Sequence, residues 1–189
     1  MAKLFLLLLL HPGLPIRILT FDASSDGEIA HKIYDKSTPL PELFTLCSAF
    51  KESVMYQGGN SFFTLYGEDG KPWMILTTWI GVHIELWLRI NQYWVEITEI
   101  PAHMMHSWIH VCIMANTVTG NISVVINEGS PLFFAVPELT TQTPLNLKGK
   151  LFIGKSEDFE GANQFKGEVA NFNIFTGFRV RCRKHPKGV

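Results

Sequence analysis

The sequence predicts an all-β protein made of short antiparallel strands packed as a sandwich or a barrel. β-Branched and aromatic residues are concentrated in short runs, and Gly, Asn and Asp fall between these runs. Several runs alternate apolar and polar residues, as strands with one wet face do. Strands of this length at this spacing are typical of sandwiches and barrels.

The predicted strands follow one another along almost the whole chain. In order they span 16–21, 44–54, 61–66, 74–78, 83–90, 93–97, 107–114, 122–126, 132–136, 150–153 and 168–175. Asp69-Gly70 is typical of a hairpin tip, and Asn91-Gln92 separates two strongly β stretches. Thr119-Gly120-Asn121 marks a further turn.

Alternation predicts which faces are buried. In the strand over 83–90, Glu85 and Arg89 bracket Trp87 on one face, and the Ile and Leu residues share the other. The Ile and Leu side is expected to pack on the partner sheet. In the strand over 107–114, His110 lies on the face of Cys112, which favours a semi-buried histidine over a metal ligand.

Composition supports one domain and argues against several partners. The 189 residues are 47% apolar and carry a formal net charge of −1, with no basic stripe in the body of the chain. Nucleic acid is therefore not expected as a partner. The domain is expected over 16–177. The basic run in 178–189 is expected to be a solvated tail, and the alternative is an arm that binds polyanions.

The first residues predict secretion. Lys3 precedes an unbroken apolar run over 4–10, which is too short to span a bilayer and is near the lower limit for a signal peptide. We expect a signal peptide over 1–15, cleaved between about Gly13 and Ile18, and an extracellular protein. The alternative is that this run forms a buried first strand.

Two of the three cysteines lie in matched strand contexts. Cys47 and Cys112 each lie inside a run of β-forming residues rather than in a loop, which favours a bridge between neighbouring strands over two unpaired core thiols. Closing this loop would stabilise the fold by about 4 kcal/mol in the chain-entropy model. Cys182 is left over among basic residues, which favour its thiolate and pairing with another molecule.

Three blocks of sequence form a recognisable series: 44–50, His110–Cys112 with the Thr-Gly turn that follows, and 151–154 leading through an acidic stretch to 167–175. In order and spacing these blocks resemble a pentraxin domain. The resemblance runs from about residue 18 to residue 177, and laminin-G-like domains share its general strand pattern. It implies a two-sheet antiparallel jelly-roll sandwich of the concanavalin A-like type, secretion, and the disulfide already predicted. It further implies calcium-dependent recognition of phosphorylated or carbohydrate ligands in innate immunity, and a possible homo-oligomer.

The same resemblance indicates a calcium site. Its oxygen ligands would come from Asp158, Glu157, Asn163 and Asp69, since calcium prefers carboxylate and amide oxygens. Ser156 stands where the family has a glutamate, and Lys155 adds a positive charge beside it. The site is therefore expected to be weak. The alternative is a solvated acidic loop in a metal-independent adhesion or interaction module.

The C-terminal part departs from the family pattern. A surface helix and a final pair of strands would follow the strand ending near residue 175, and this chain has Gly177-Phe178 and the basic tail instead. A missing strand leaves unpaired backbone groups at a sheet edge. Either the chain is a truncated product or its N-terminal segment covers the gap.

No enzyme is predicted. The Glu-x-Asp-x-x-Glu motif that glucanases of this architecture use is absent. Glu96 and Glu99 differ by three and are expected on opposite faces of a regular strand, which would make them poor catalytic partners.

The sequence also contains one glycosylation sequon, Asn121-Ile122-Ser123, directly after a turn. We expect Asn121 to be exposed and to carry a glycan. The predicted function is that of a secreted, lectin-like binding glycoprotein.

Overall fold

A computed structural model of the chain confirms the all-β prediction. It describes residues 18–21, 31–33, 42–53, 58–67, 70–80, 84–90, 93–101, 104, 106–137, 140, 150–154 and 163–177. The predicted signal peptide over 1–15, the tail over 178–189 and Cys182 lie outside these residues. Within them, no helix is long and apolar enough to cross a membrane.

The described residues form thirteen strands. They are β1 (Ile18–Phe21), β2 (His31–Ile33), β3 (Leu43–Glu52), β4 (Gly58–Tyr66), β5 (Pro72–Ile80), β6 (Ile84–Ile90), β7 (Tyr93–Glu99), β8 (Ile109–Asn116), β9 (Asn121–Ile126), β10 (Leu132–Ala135), β11 (Lys150–Ile153), β12 (Asn163–Gln164) and β13 (Gly167–Thr176). Every strand predicted from the sequence is present. The sequence missed β2 and β12, because strands of two or three residues are too short to show a period.

The strands form two sheets. The first has the order β1-β13-β3-β8-β9-β10, and the second has the order β2-β11-β4-β5-β6-β7. β12 runs parallel to β4 and pairs with it where β11 ends. Apart from β12, all pairs are antiparallel. The result is an antiparallel jelly-roll sandwich.

The core lies between the two sheets and is rich in phenylalanine. Phe50 of β3 stacks on Phe62 of β4 with ring centroids 3.7 Å apart, and Phe165 meets Phe62 edge-on at 4.9 Å. A bulge between Ser61 and Phe63 allows both Phe62 and Phe63 to be buried although they are consecutive. On β6, Leu86 and Leu88 are completely buried, which confirms the face predicted from alternation.

A disulfide joins the middle strands of the first sheet. Cys47 of β3 and Cys112 of β8 are directly opposite each other, their Cα atoms are 4.1 Å apart, and they form the predicted bond. The bridge is buried and links positions 65 residues apart in the chain. Disulfides persist in oxidising compartments, so this bond is consistent with an extracellular protein.

The N-terminal region contributes to the edge of the first sheet. β1 pairs with β13 along four residues, from Ile18 opposite Ala170 to Phe21 opposite Gly167. β1 therefore lies along the side of β13 that β3 does not occupy.

Candidate functional site

The predicted calcium site lies mostly outside the described residues. Asp69, Glu157 and Asp158 fall in segments that the structure does not describe. Asn163 belongs to β12, where it pairs with Asn60 of β4. Among the residues that are described, no group of three or more His, Cys, Asp or Glu residues is placed to hold a metal ion. The calcium site therefore stays a prediction.

The outer face of β5, β6 and β7 carries a different constellation. Register places Glu85 of β6 between Trp79 of β5 and Glu99 of β7, and it places Trp87 beside Glu96 and Arg89 beside Trp94. Because side chains alternate along each strand, all seven project to the side away from Leu86 and Leu88. We call this set the tryptophan face: Trp79, Glu85, Trp87, Arg89, Trp94, Glu96 and Glu99.

Two of the tryptophans are well exposed. Trp79 is 42% exposed and Trp94 is 37% exposed, whereas the other described tryptophans are half-buried or, like Trp73, buried. An exposed tryptophan leaves a large apolar surface in water, and a group of them on one face is a feature of binding surfaces.

Contacts within the tryptophan face hold its rings in place. The rings of Trp87 and Trp94 meet edge-to-face, 6.4 Å apart at 78°. The guanidinium of Arg89 lies over Trp94, 5.7 Å from the ring centre. The indole N–H of Trp87 donates to Glu85 at 2.8 Å. These contacts restrain the rings of Trp87 and Trp94 and leave carboxylate oxygens beside them, so this part of the face is organised before any ligand arrives.

A β-bulge changes the sequence prediction for Glu96 and Glu99. Glu96 pairs with Trp87 and Glu99 pairs with Glu85, and the register shifts between these pairs because Ile97 is an extra residue. Ile97 is buried, and both glutamates are exposed on the face of Trp87. The expectation that they point to opposite faces was wrong, because it assumed a regular strand.

The tryptophan face includes an unfavourable pair. Glu85 and Glu99 are directly opposite each other on adjacent strands, and like charges in this position destabilise a sheet. Local features that lower stability are concentrated at functional sites, where another requirement selects them. This pair therefore marks the tryptophan face as a place where the stability of the sheet is locally lowered.

A buried carboxylate lies elsewhere, between the two sheets. Glu52 at the end of β3 is 8% exposed, and the hydroxyl of Thr78 on β5 donates to it at 2.5 Å. Burial raises the pKa of Glu52 from 4.5 to about 6, although the Thr78 hydrogen bond and the charge of His106 oppose this shift. Glu52 contacts the opposite sheet and is not part of the tryptophan face.

The predicted glycosylation site is exposed. Asn121 begins β9 and is exposed at its surface. The preceding turn is fixed by the side chain of Asn116, whose oxygen accepts from the N–H groups of Val118 and Thr119. The N–H of Val136 donates to the carbonyl of Gly120 at 2.7 Å. Asn121 is thus presented from a rigid turn.

Sequence reasoning found one strand of the tryptophan face but not the face itself. The alternation over 84–90 correctly placed Glu85, Trp87 and Arg89 on a wet side. Trp79 and Trp94 joined them only through the register of three strands. A sequence signal was present in β6 and β7, since each of these two strands carries a tryptophan within two residues of a glutamate, but β5 has no charged residue near Trp79.

Comparison of folds finds a pentraxin, the extracellular region of another protein and laminin LG domains among the similar structures. The heptameric SAP-like pentraxin from Limulus polyphemus is similar at a TM-score of 0.64 and 17% identity, over 87% of this chain and 78% of that one. The extracellular region of zebrafish Gpr126/Adgrg6 is similar at 0.67 and 16%, over 85% of this chain and 21% of that one. The LG4-5 domains of the mouse laminin α1 chain are similar at 0.54 and 10%, over 85% and 40%.

These similarities establish the fold. Identities this low carry no residue roles, and the chain spans only about a fifth of the Gpr126 region. No protein-family model matches the sequence, and no curated protein matches it. The protein has the jelly-roll fold that pentraxin and laminin-G domains share, which confirms the predicted fold class.

Proposed function

We propose that the protein is an extracellular carbohydrate-binding module whose tryptophan face contacts the sugar rings. The observation that carries this proposal is the alternation of indole rings with carboxylates on one outer sheet face. A sugar ring has an apolar face of C–H groups and a rim of hydroxyls. Aromatic rings pack well against the C–H face, and a few fixed polar groups can bind the hydroxyls of the rim.

The polar groups of the face favour a glycan over a protein partner. Protein–protein interfaces are depleted in glutamate at their centres, because a carboxylate that loses its water there costs free energy. Here Glu85 is directly opposite Trp79 and Glu96 is directly opposite Trp87, so these carboxylates lie among the rings and not only at the rim of the face. Sugar hydroxyls donate to carboxylates and so replace the water that is lost.

The charge of the face indicates a neutral glycan. Glu85, Glu96 and Glu99 outnumber Arg89, whose guanidinium lies over Trp94. The three carboxylates would repel an anionic sugar or a phosphate that binds to the face. Recognition of phosphorylated ligands in innate immunity, which the pentraxin resemblance implies, would then depend on the predicted calcium loop instead.

A glycan array followed by calorimetry tests the proposal. Neutral oligosaccharides of defined linkage are printed beside sulfated and phosphorylated ones, and the strongest binder is titrated in solution. We expect a neutral oligosaccharide to bind equally well in calcium and in a chelator. Trp94→Ala should weaken binding at least about tenfold, as the loss of a central aromatic contact does.

Phe133→Ala is the matched control. Phe133 is 78% exposed and lies on the other sheet, so its removal changes exposed aromatic area without touching the tryptophan face. Equal losses in both variants, or no binding to any neutral glycan, would overturn the proposal. Release of new reducing ends from the bound oligosaccharide would show an enzyme instead, with Glu96 and Glu99 as its carboxylates.

A further inference from the structure

The edge of the first sheet carries a phenylalanine that the fold does not explain. Phe133 of β10 is 78% exposed, the highest value among the large apolar side chains that the structure describes. β10 is the last strand of its sheet. An exposed aromatic ring on an edge strand promotes association with other chains, and natural proteins usually blunt such edges.

Register places Phe133 next to the glycosylation sequon. Asn121 is opposite Ala135 and Ser123 is opposite Phe133, so Asn121 and Phe133 are diagonal neighbours on one face. Diagonal neighbours on adjacent strands have Cα atoms roughly 7–8 Å apart, within reach of a long or aromatic side chain. The first sugar on Asn121 would extend over this ring.

Ser123 supplies an independent observation. Its hydroxyl oxygen is buried and has no hydrogen-bond partner among the residues that the structure describes. A buried hydroxyl of this kind costs stability, and an apolar residue would suit the position better. The serine is explained if it is required by the sequon Asn121-Ile122-Ser123.

We propose that Asn121 carries an N-linked glycan whose first sugar stacks on Phe133 and covers the edge of β10. The side-chain nitrogen of Asn121 attacks C1 of the first sugar of a lipid-linked diphosphate oligosaccharide. The C–N bond forms as the C–O bond to the diphosphate breaks, the nitrogen loses one proton, and the lipid diphosphate leaves. Because this transfer precedes folding, burial of the Ser123 hydroxyl does not prevent it.

The rigid turn before Asn121 makes the stacking effective. Gly120 has a φ of 70°, and a Cβ at this position would lie 2.6 Å from the carbonyl oxygen of Val136. The turn therefore tolerates only glycine, and the backbone that leads into Asn121 is fixed. Little backbone freedom remains to be lost when the sugar meets the ring.

The test uses the full chain secreted by a eukaryotic host that makes high-mannose glycans. Wild type, Asn121→Gln, Phe133→Ala and the double variant are compared by peptide mass and by thermal unfolding. Each glycosylated protein is also treated with an endoglycosidase that leaves one sugar, or with a peptide N-glycosidase that leaves none. Leu132→Ala, a change in the same strand, is the control.

The stacking predicts a specific pattern of melting temperatures. Wild type should keep its Tm when one sugar remains and lose roughly 2–4 °C when none remains, as a change of about 1 kcal/mol gives at this chain length. In Phe133→Ala, removal of the last sugar should not lower the Tm. In Leu132→Ala, it should lower the Tm as much as in wild type. An unoccupied Asn121, or an equal loss in wild type and Phe133→Ala, would overturn the proposal.

Discussion

At the scale of single residues, Glu52 shows how burial alters ionisation. Its carboxyl group is between two sheets, where the hydroxyl of Thr78 gives one hydrogen bond in place of several waters. Desolvation of the charged form outweighs the hydrogen bond and the charge of His106, and the pKa rises to about 6. The folded protein therefore binds a proton at Glu52 more tightly than the unfolded chain does.

Glu52→Gln is expected to stabilise the protein above pH 6. Above pH 6 the buried carboxylate destabilises the folded state by up to about 2 kcal/mol. This figure follows from the rise of the Glu52 pKa from 4.5 to about 6. This cost disappears as pH falls from 6 through 4.5, because the folded protein takes up the proton first. Urea unfolding from pH 5 to pH 8 should show a gain at pH 8 that shrinks toward pH 5. A variant that is less stable at pH 8 would contradict this assignment.

At the scale of elements, one bulge in β7 determines the composition of the tryptophan face. The extra residue Ile97 keeps an apolar side chain in the core and turns Glu96 and Glu99 to the same side. Without it, one of these carboxylates would point into the sandwich. The bulge also sets Glu99 opposite Glu85, which gives the face its local instability.

Glu99→Lys is expected to stabilise the sandwich and to weaken glycan binding. The change replaces a cross-strand repulsion by an attraction, worth about 0.2–1 kcal/mol at low salt and less at high salt. Thermal unfolding at two salt concentrations measures the gain. Glu96→Lys is the matched control, since Glu96 is opposite Trp87 rather than a carboxylate. Equal gains in both variants would show that only net charge matters.

At the scale of the whole molecule, the two sheets present different outer surfaces. The second sheet carries the tryptophan face, and the first carries the sequon and the edge strand β10. The proposed ligand and the proposed glycan would thus occupy opposite sides of the sandwich. Glycosylation at Asn121 should leave the affinity of the tryptophan face unchanged.

Calcium binding, the remaining prediction for the whole chain, is expected to be weak. Asp158, Glu157, Asn163 and Asp69 provide few carboxylates, and Lys155 opposes a divalent cation. We expect a Kd near the millimolar range, abolished by Asp158→Ala, in a calorimetric titration. Asp158→Asn keeps the size of the side chain and is the control for charge. Micromolar affinity would show that other oxygens complete the site.

The sequence by itself determined the fold class, nearly all the strands and the disulfide. Strand length, turn residues and the contexts of Cys47 and Cys112 are local signals, and local signals can be read from one chain. The tertiary structure alone decided which strands are neighbours. Trp79, Trp87 and Trp94 share one face only through the register of β5, β6 and β7, and Asn121 is a diagonal neighbour of Phe133 only through the register of β9 and β10. Register depends on how two faces pack together, and a bulge of one residue changes it, so the candidate sites could not be predicted from periodicity alone.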